Sequence, residues 1–90
     1  MSDTLVQEKK LLNSSATESN TILVYNDDVN TFDYVIESLI KVCKHNSVQA
    51  EQCTWIIHHN GKCAVKNGNY ENLKPLQDAL VERGIDAKIK

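Results

Sequence analysis

Polar and apolar positions along this chain resolve into a series of short elements behind a polar beginning. Residues 21–25 (TILVY) form a β-branched apolar run, which predicts a buried strand. The run ends at Asn26-Asp27-Asp28-Val29-Asn30-Thr31, a string of turn formers and helix caps. Thr31 is a good cap, and Asp33 suits the positive end of a helix dipole. Phe32, Val35, Ile36, Leu39, Ile40 and Cys43 then recur at three- and four-residue steps, predicting a first helix. Asn46 with Gln49 three residues later resembles a capping box that opens a second helix. Its inner face is expected to be Val48, Cys53, Ile56 and Ile57. Asn60-Gly61 is the stop, because glycine takes the left-handed conformation that closes a helix.

Residues 62–66 alternate polar and apolar around Cys63 and Val65 and predict a second strand, with a turn at 67–69. A third helix is expected over about 71–83, with Leu73, Leu76, Ala79 and Leu80 inward. Pro75 is expected within its first turn, where the missing N–H does no harm. Gly84 ends that helix, and Ile85, Ala87 and Ile89 alternate with charged residues in a last, edge-like strand. Three short strands cannot stand alone, so the helices must cover one face of the sheet. The expected fold is therefore α+β, a small single domain of order β-α-α-β-α-β with a three-stranded antiparallel sheet. Residues 13–20 (NSSATESN) are small and polar and read as a linker. The division is thus a flexible, disordered extension over 1–20 and a core domain over 21–90.

Composition narrows what such a domain can do. With 90 residues in all, a core of about seventy lies near the lower size limit for an unstapled domain, and nearly every apolar residue is needed for packing. Little space is left for the deep, dry cavity of a typical enzyme. Ten basic and twelve acidic residues give a net charge of −2, without the clustered Lys and Arg that grip nucleic acid. No apolar run approaches the roughly 18 residues of a membrane span, and no secretory signal opens the chain. Three cysteines, Cys43, Cys53 and Cys63, are an odd number without short-range pairing, as expected of reduced thiols in the cytoplasm.

The cluster Asn26-Asp27-Asp28 is the main chemical signal. Two adjacent carboxylates repel each other, so a junction that needs only a cap is built more cheaply with one. The cluster is either turn and cap chemistry or a site for a cation, whether a metal or an ammonium group. A calcium loop starting at Asn26 would use Asp28, Asn30 and Glu37, but Thr31 occupies the position that requires glycine. Cys43, Cys53, His58 and Cys63 lack the close pairs of a zinc site, and His58-His59 lacks the i, i+4 spacing. No nucleophile has a visible base beside it, and no glycine-rich phosphate loop is present. No catalytic residue, metal or cofactor is therefore assigned, and the chain is expected not to be an enzyme.

Residues 22–28 (ILVYNDD), 32–36 (FDYVI) and 57–62 (IHHNGK) together resemble the ClpS adaptor family, over about residues 21–90. The resemblance implies an adaptor that binds proteins through a free amino-terminal residue, an N-degron. It implies delivery of these proteins to a Clp-type AAA+ unfoldase and its protease. By resemblance Asn26, Asp27 and His58 contact the substrate α-amino group, and Asp28 holds the loop. An ammonium has three N–H donors, which an amide oxygen, a carboxylate and a neutral imidazole can accept. A protonated imidazole would repel it, so binding is expected to weaken on acidification. The matching side-chain pocket is Asn30, Thr31, Phe32, Val35, Thr54, Ile57 and Ala87. Typical members carry Thr-Pro-Met at 30–32 and often Met at 54, so the preferred ligand side chain differs in detail; Phe, Leu, Tyr or Trp is expected. Glu71 matches one unfoldase contact, whereas Leu76 replaces a Lys that other members use. The expected molecule is a monomer that binds neither nucleic acid nor membrane. Two alternatives remain: an interaction domain of this fold whose pocket is altered or lost, and a divalent-metal-binding domain.

Overall fold

The structure is a computed structural model that describes residues 20–90. The element order is β1 (Asn20–Tyr25), α1 (Phe32–Cys43), α2 (Ser47–Asn60), β2 (Lys62–Gly68), α3 (Tyr70–Glu82) and β3 (Ala87–Ile89). The strands form one antiparallel sheet in the order β2-β1-β3, with β1 at its centre. This is the α+β architecture that the polar–apolar pattern predicts. Most of the tail expectation lies outside the described residues. Asn20, placed in the tail by composition, is instead the first residue of β1 and pairs with Gly68.

Each helix starts where a side chain replaces a missing backbone partner. Thr31 Oγ1 accepts from the Tyr34 amide, Asn46 Oδ1 from Gln49, and Asn69 Oδ1 from Asn72. The third cap explains why α3 begins at Tyr70, just after a turn that composition assigned to loop. Pro75 consequently lies beyond the first turn and inside the helix. It has no N–H to offer the Glu71 carbonyl, so α3 carries a missing rung rather than a harmless proline.

The core is small and continuous. Ile22 and Val24 of β1 meet Leu39 and Cys43 of α1, Ala50 and Ile57 of α2, and Leu73 and Leu80 of α3, all buried. Alternation in β1 turns Ile22 and Val24 toward the helices. The α2 face differs from expectation: Val48 and Ile56 are 63% and 42% exposed, while Ala50, Thr54 and Ile57 are buried. Ile57 and the partly buried Cys53 face the core as expected, whereas small Ala50 and Thr54 are buried in place of Val48 and Ile56. A bulge interrupts the β1–β2 ladder between Ile22 and Leu23, leaving Val65 as the extra residue. The Val65 carbonyl accepts from Nε2 of buried His45 at 2.7 Å, which fixes the proton on that nitrogen.

A second set of bonds locks α1 to α3. Arg83 donates from Nε to Ser38 Oγ at 2.8 Å, and its guanidinium lies 5.1 Å from the centre of the Tyr34 ring. Tyr34 donates its hydroxyl to the Arg83 carbonyl at 2.7 Å. These contacts hold the α3–β3 turn against the start of α1, next to the acidic loop.

Candidate ligand-binding site

One backbone contact brings the two distant motifs together. Gly61 closes α2 in the left-handed conformation, with φ of 92° and its N–H bonded to the Ile57 carbonyl. Its own carbonyl accepts from the Asn26 amide at 2.8 Å. The exit of β1 is thereby docked on the end of α2, and the acidic loop faces the last turn that carries His58.

Between them lies a cavity of about 250 Å³. Its walls are Asn26, Asp27, Asp28, Asn30, Thr31, Phe32, Val35, Thr54, Ile57 and His58. Polar and anionic groups come from the loop and His58, apolar surface from Phe32, Val35 and Ile57. Ala87 is not among the walls; it is 2% exposed in β3, paired with Val24 in the sheet. Glu71 lies exposed in the first turn of α3, likewise outside the cavity walls.

The two carboxylates have different jobs, and the loop-holding role expected of Asp28 falls to Asp27. Asp27 holds the loop: Oδ1 accepts from the amides of Val29 and Asn30, each at 2.9 Å, and Oδ2 accepts from Asn30 Nδ2 at 2.8 Å. The Asn30 amide is the main reason its carboxyl lies below the usual carboxylate range; partial burial works in the opposite direction. Asn30 Nδ2 also donates to the Gly84 carbonyl at 2.9 Å, tying the loop to the α3–β3 turn. Asp28 is exposed, and its carboxylate has no bonded partner among the described residues. Oδ2 of Asp27 has accepted one bond and retains room for another.

The remaining walls are similarly committed. Thr31 Oγ1 caps α1, and the Thr54 hydroxyl donates to the Ala50 carbonyl at 2.7 Å. Thr54 thus presents little polar demand to the cavity. Phe32 leaves the core side of α1 and stands edge-on to the His58 ring at 6.2 Å. Sequence reasoning did not find the neighbouring Trp55–His59 stack, although its i, i+4 spacing was a usable signal.

A larger cavity of about 370 Å³ surrounds His45, but Lys44 and Lys66 line it. Its charge has the wrong sign for a cationic group. Burial pushes the thiols of Cys43 and Cys63 up to about 11, which makes these two poor nucleophiles. Among the described residues, no group of three or more His, Cys, Asp or Glu side chains is placed to hold a metal ion. No helix among them is long and apolar enough to cross a membrane.

A three-stranded antiparallel sheet with its helices on one face, and a half-acidic, half-apolar cavity at one end, define a class of small α+β domain. The family model described as "ATP-dependent Clp protease adaptor protein ClpS" matches residues 15–86. The chain belongs to the ClpS family. Curated relatives named ATP-dependent Clp protease adapter protein ClpS, from Campylobacter jejuni strain 81-176 and strain RM1221, are each 45% identical over 40 residues. That match spans 44% of this chain and 42% of each relative, less than half of their length. The solved structure of Agrobacterium tumefaciens ClpS2 bound to L-phenylalaninamide has a TM-score of 0.63 at 16% identity. It covers 79% of this chain and 95% of that one, a likeness of fold.

Proposed function

We propose that this chain is an adaptor that binds other proteins by their free amino-terminal residue and delivers them to a Clp-type AAA+ unfoldase. The observation that carries the reading is the two-sided cavity. Asn26, Asp27 and His58 offer acceptors and negative charge at one side, and Phe32, Val35, Thr54 and Ile57 offer an apolar wall at the other. An amino-terminal residue has that same division, an ammonium joined through one carbon to its side chain. L-Phenylalaninamide, to which the Agrobacterium tumefaciens ClpS2 is bound, has a free α-amino group and an aromatic side chain.

Asp28, without a bonded partner among the described residues, adds negative charge at the rim, while Asp27 accepts through Oδ2. Two or three charge-assisted hydrogen bonds contribute about 1.5–3 kcal/mol each. Burial of one large apolar side chain adds roughly 1.5–3 kcal/mol. After the costs of association, an affinity of about micromolar follows, suited to a carrier that must release its cargo.

Calorimetry with peptides that differ only in their first residue tests the binding half. Leu, Phe, Tyr or Trp should bind at least about tenfold more tightly than Ala; equal affinity for Leu and Ala would sink the reading. Glu71 at the start of α3 is proposed as an unfoldase contact. Glu71→Lys should weaken co-sedimentation with a Clp-type unfoldase while peptide affinity stays unchanged; co-sedimentation unaffected by the change removes Glu71 from that role.

A further inference from the structure

An aromatic shelf adjoins the mouth of the cavity. Trp55 is 49% exposed, so half of its ring surface is open to a ligand. Its ring lies parallel to that of His59, with centroids 4.7 Å apart and 3° between the planes. Phe32 meets Trp55 edge-on at 5.4 Å. Neither Trp55 nor His59 belongs to the buried core or to the partly buried side chains packed against it. The stacked and edge-on contacts join the three rings into one surface.

We propose that Phe32, Trp55 and His59 form a second subsite, which reads the residue following the amino-terminal one and favours a flat aromatic side chain there. The proposal rests on the reading of the cavity as a site for a free amino terminus. Phe32 and His58 line the cavity and also touch the shelf, so the two surfaces are continuous. With the α-amino group at Asn26 and His58, the second Cα lies about 3.8 Å from the first. An aromatic group there reaches a ring surface that already prefers stacked and edge-on partners. Asp28 at the rim, unpaired among the described residues, works against an acidic second residue.

Three free-amine peptides that begin Leu-Tyr, Leu-Ala and Leu-Asp and are otherwise identical decide the matter. Binding is read by calorimetry and by the fluorescence of Trp55, the chain's single tryptophan. Leu-Tyr should bind about two- to tenfold more tightly than Leu-Ala, with Leu-Asp weakest. In Trp55→Ala and, separately, in His59→Ala, the ratio between Leu-Tyr and Leu-Ala should fall toward one. Equal affinities across the series, with first-residue preference intact, would overturn the second subsite and leave the first. A ratio that survives both substitutions would also overturn it. Failure of every free-amine peptide to bind would remove the amino-terminal reading, and the subsite with it.

Discussion

Asp27 combines two duties in one carboxylate. Its three internal bonds shape the loop, and the second lone pair of Oδ2 faces the ammonium in the proposed complex. Because hydrogen bonding, chiefly from the Asn30 amide, lowers its folded pKa, the stabilisation is complete above the unfolded carboxylate value near 3.9. It is lost as pH falls through the lower folded value. The Asp27 carboxyl resonance should therefore titrate below the ordinary range by carbon NMR. Asp27→Asn keeps an acceptor but removes the charge and sets an amide group against Asn30. We expect a stability loss of about 1 kcal/mol in urea and an affinity loss of about tenfold or more for free-amine peptides. Unchanged affinity would show that Asp27 serves the loop alone.

At the scale of elements, the site exists because α2 ends where it does. A methyl group at Gly61 would meet no atom of the described residues within 4 Å, so space is available, but its φ of 92° is strained for any side chain. Gly61→Ala should cost about 1–2 kcal/mol, read as a lower urea midpoint. The same change should weaken peptide binding, since the Gly61 carbonyl anchors the Asn26 amide. Pro75 gives the opposite sign. Pro75→Ala restores a donor to the Glu71 carbonyl and should stabilise the domain by about 1–3 kcal/mol, measured by the same unfolding. These junctions also mark how far the sequence could be read. Thr31, Asn46, Gly61 and Gly84 act through neighbours a few residues away, so their roles follow from local chemistry. The α2 face does not, because Ala50 and Thr54 go inward for their small size while Trp55 and Ile56 stay out.

Across the whole molecule, a small core supports a site assembled from distant segments. Leu39 is fully buried among residues of β1, α2 and α3. Leu39→Ala should cost about 2–5 kcal/mol, a large part of the roughly 5–15 kcal/mol that stabilises a domain. Loss of a cooperative thermal transition at 37 °C or below is the expected readout, the mark of so thin a reserve. The meeting of Asn26 with His58 is a tertiary event that no local pattern encodes; in the sequence it was visible only through family resemblance. Composition allows the acidic cluster to be a cap or a cation site, and the fold makes Asp27 a brace whose neighbour Asp28 has no bonded partner among the described residues. Ala87 was placed with the pocket by the same resemblance, but pairing with Val24 holds it inside the sheet.

The central claim is that the cavity recognises a free amino terminus. An amide chemical-shift titration with a peptide beginning in Leu, followed by its acetylated twin, tests it most directly. Shifts centred on Asn26, Asp27 and His58 are expected with the free peptide, and none at these residues with the acetylated one. Equal shifts with both peptides, or shifts there only on adding calcium or zinc, would contradict it.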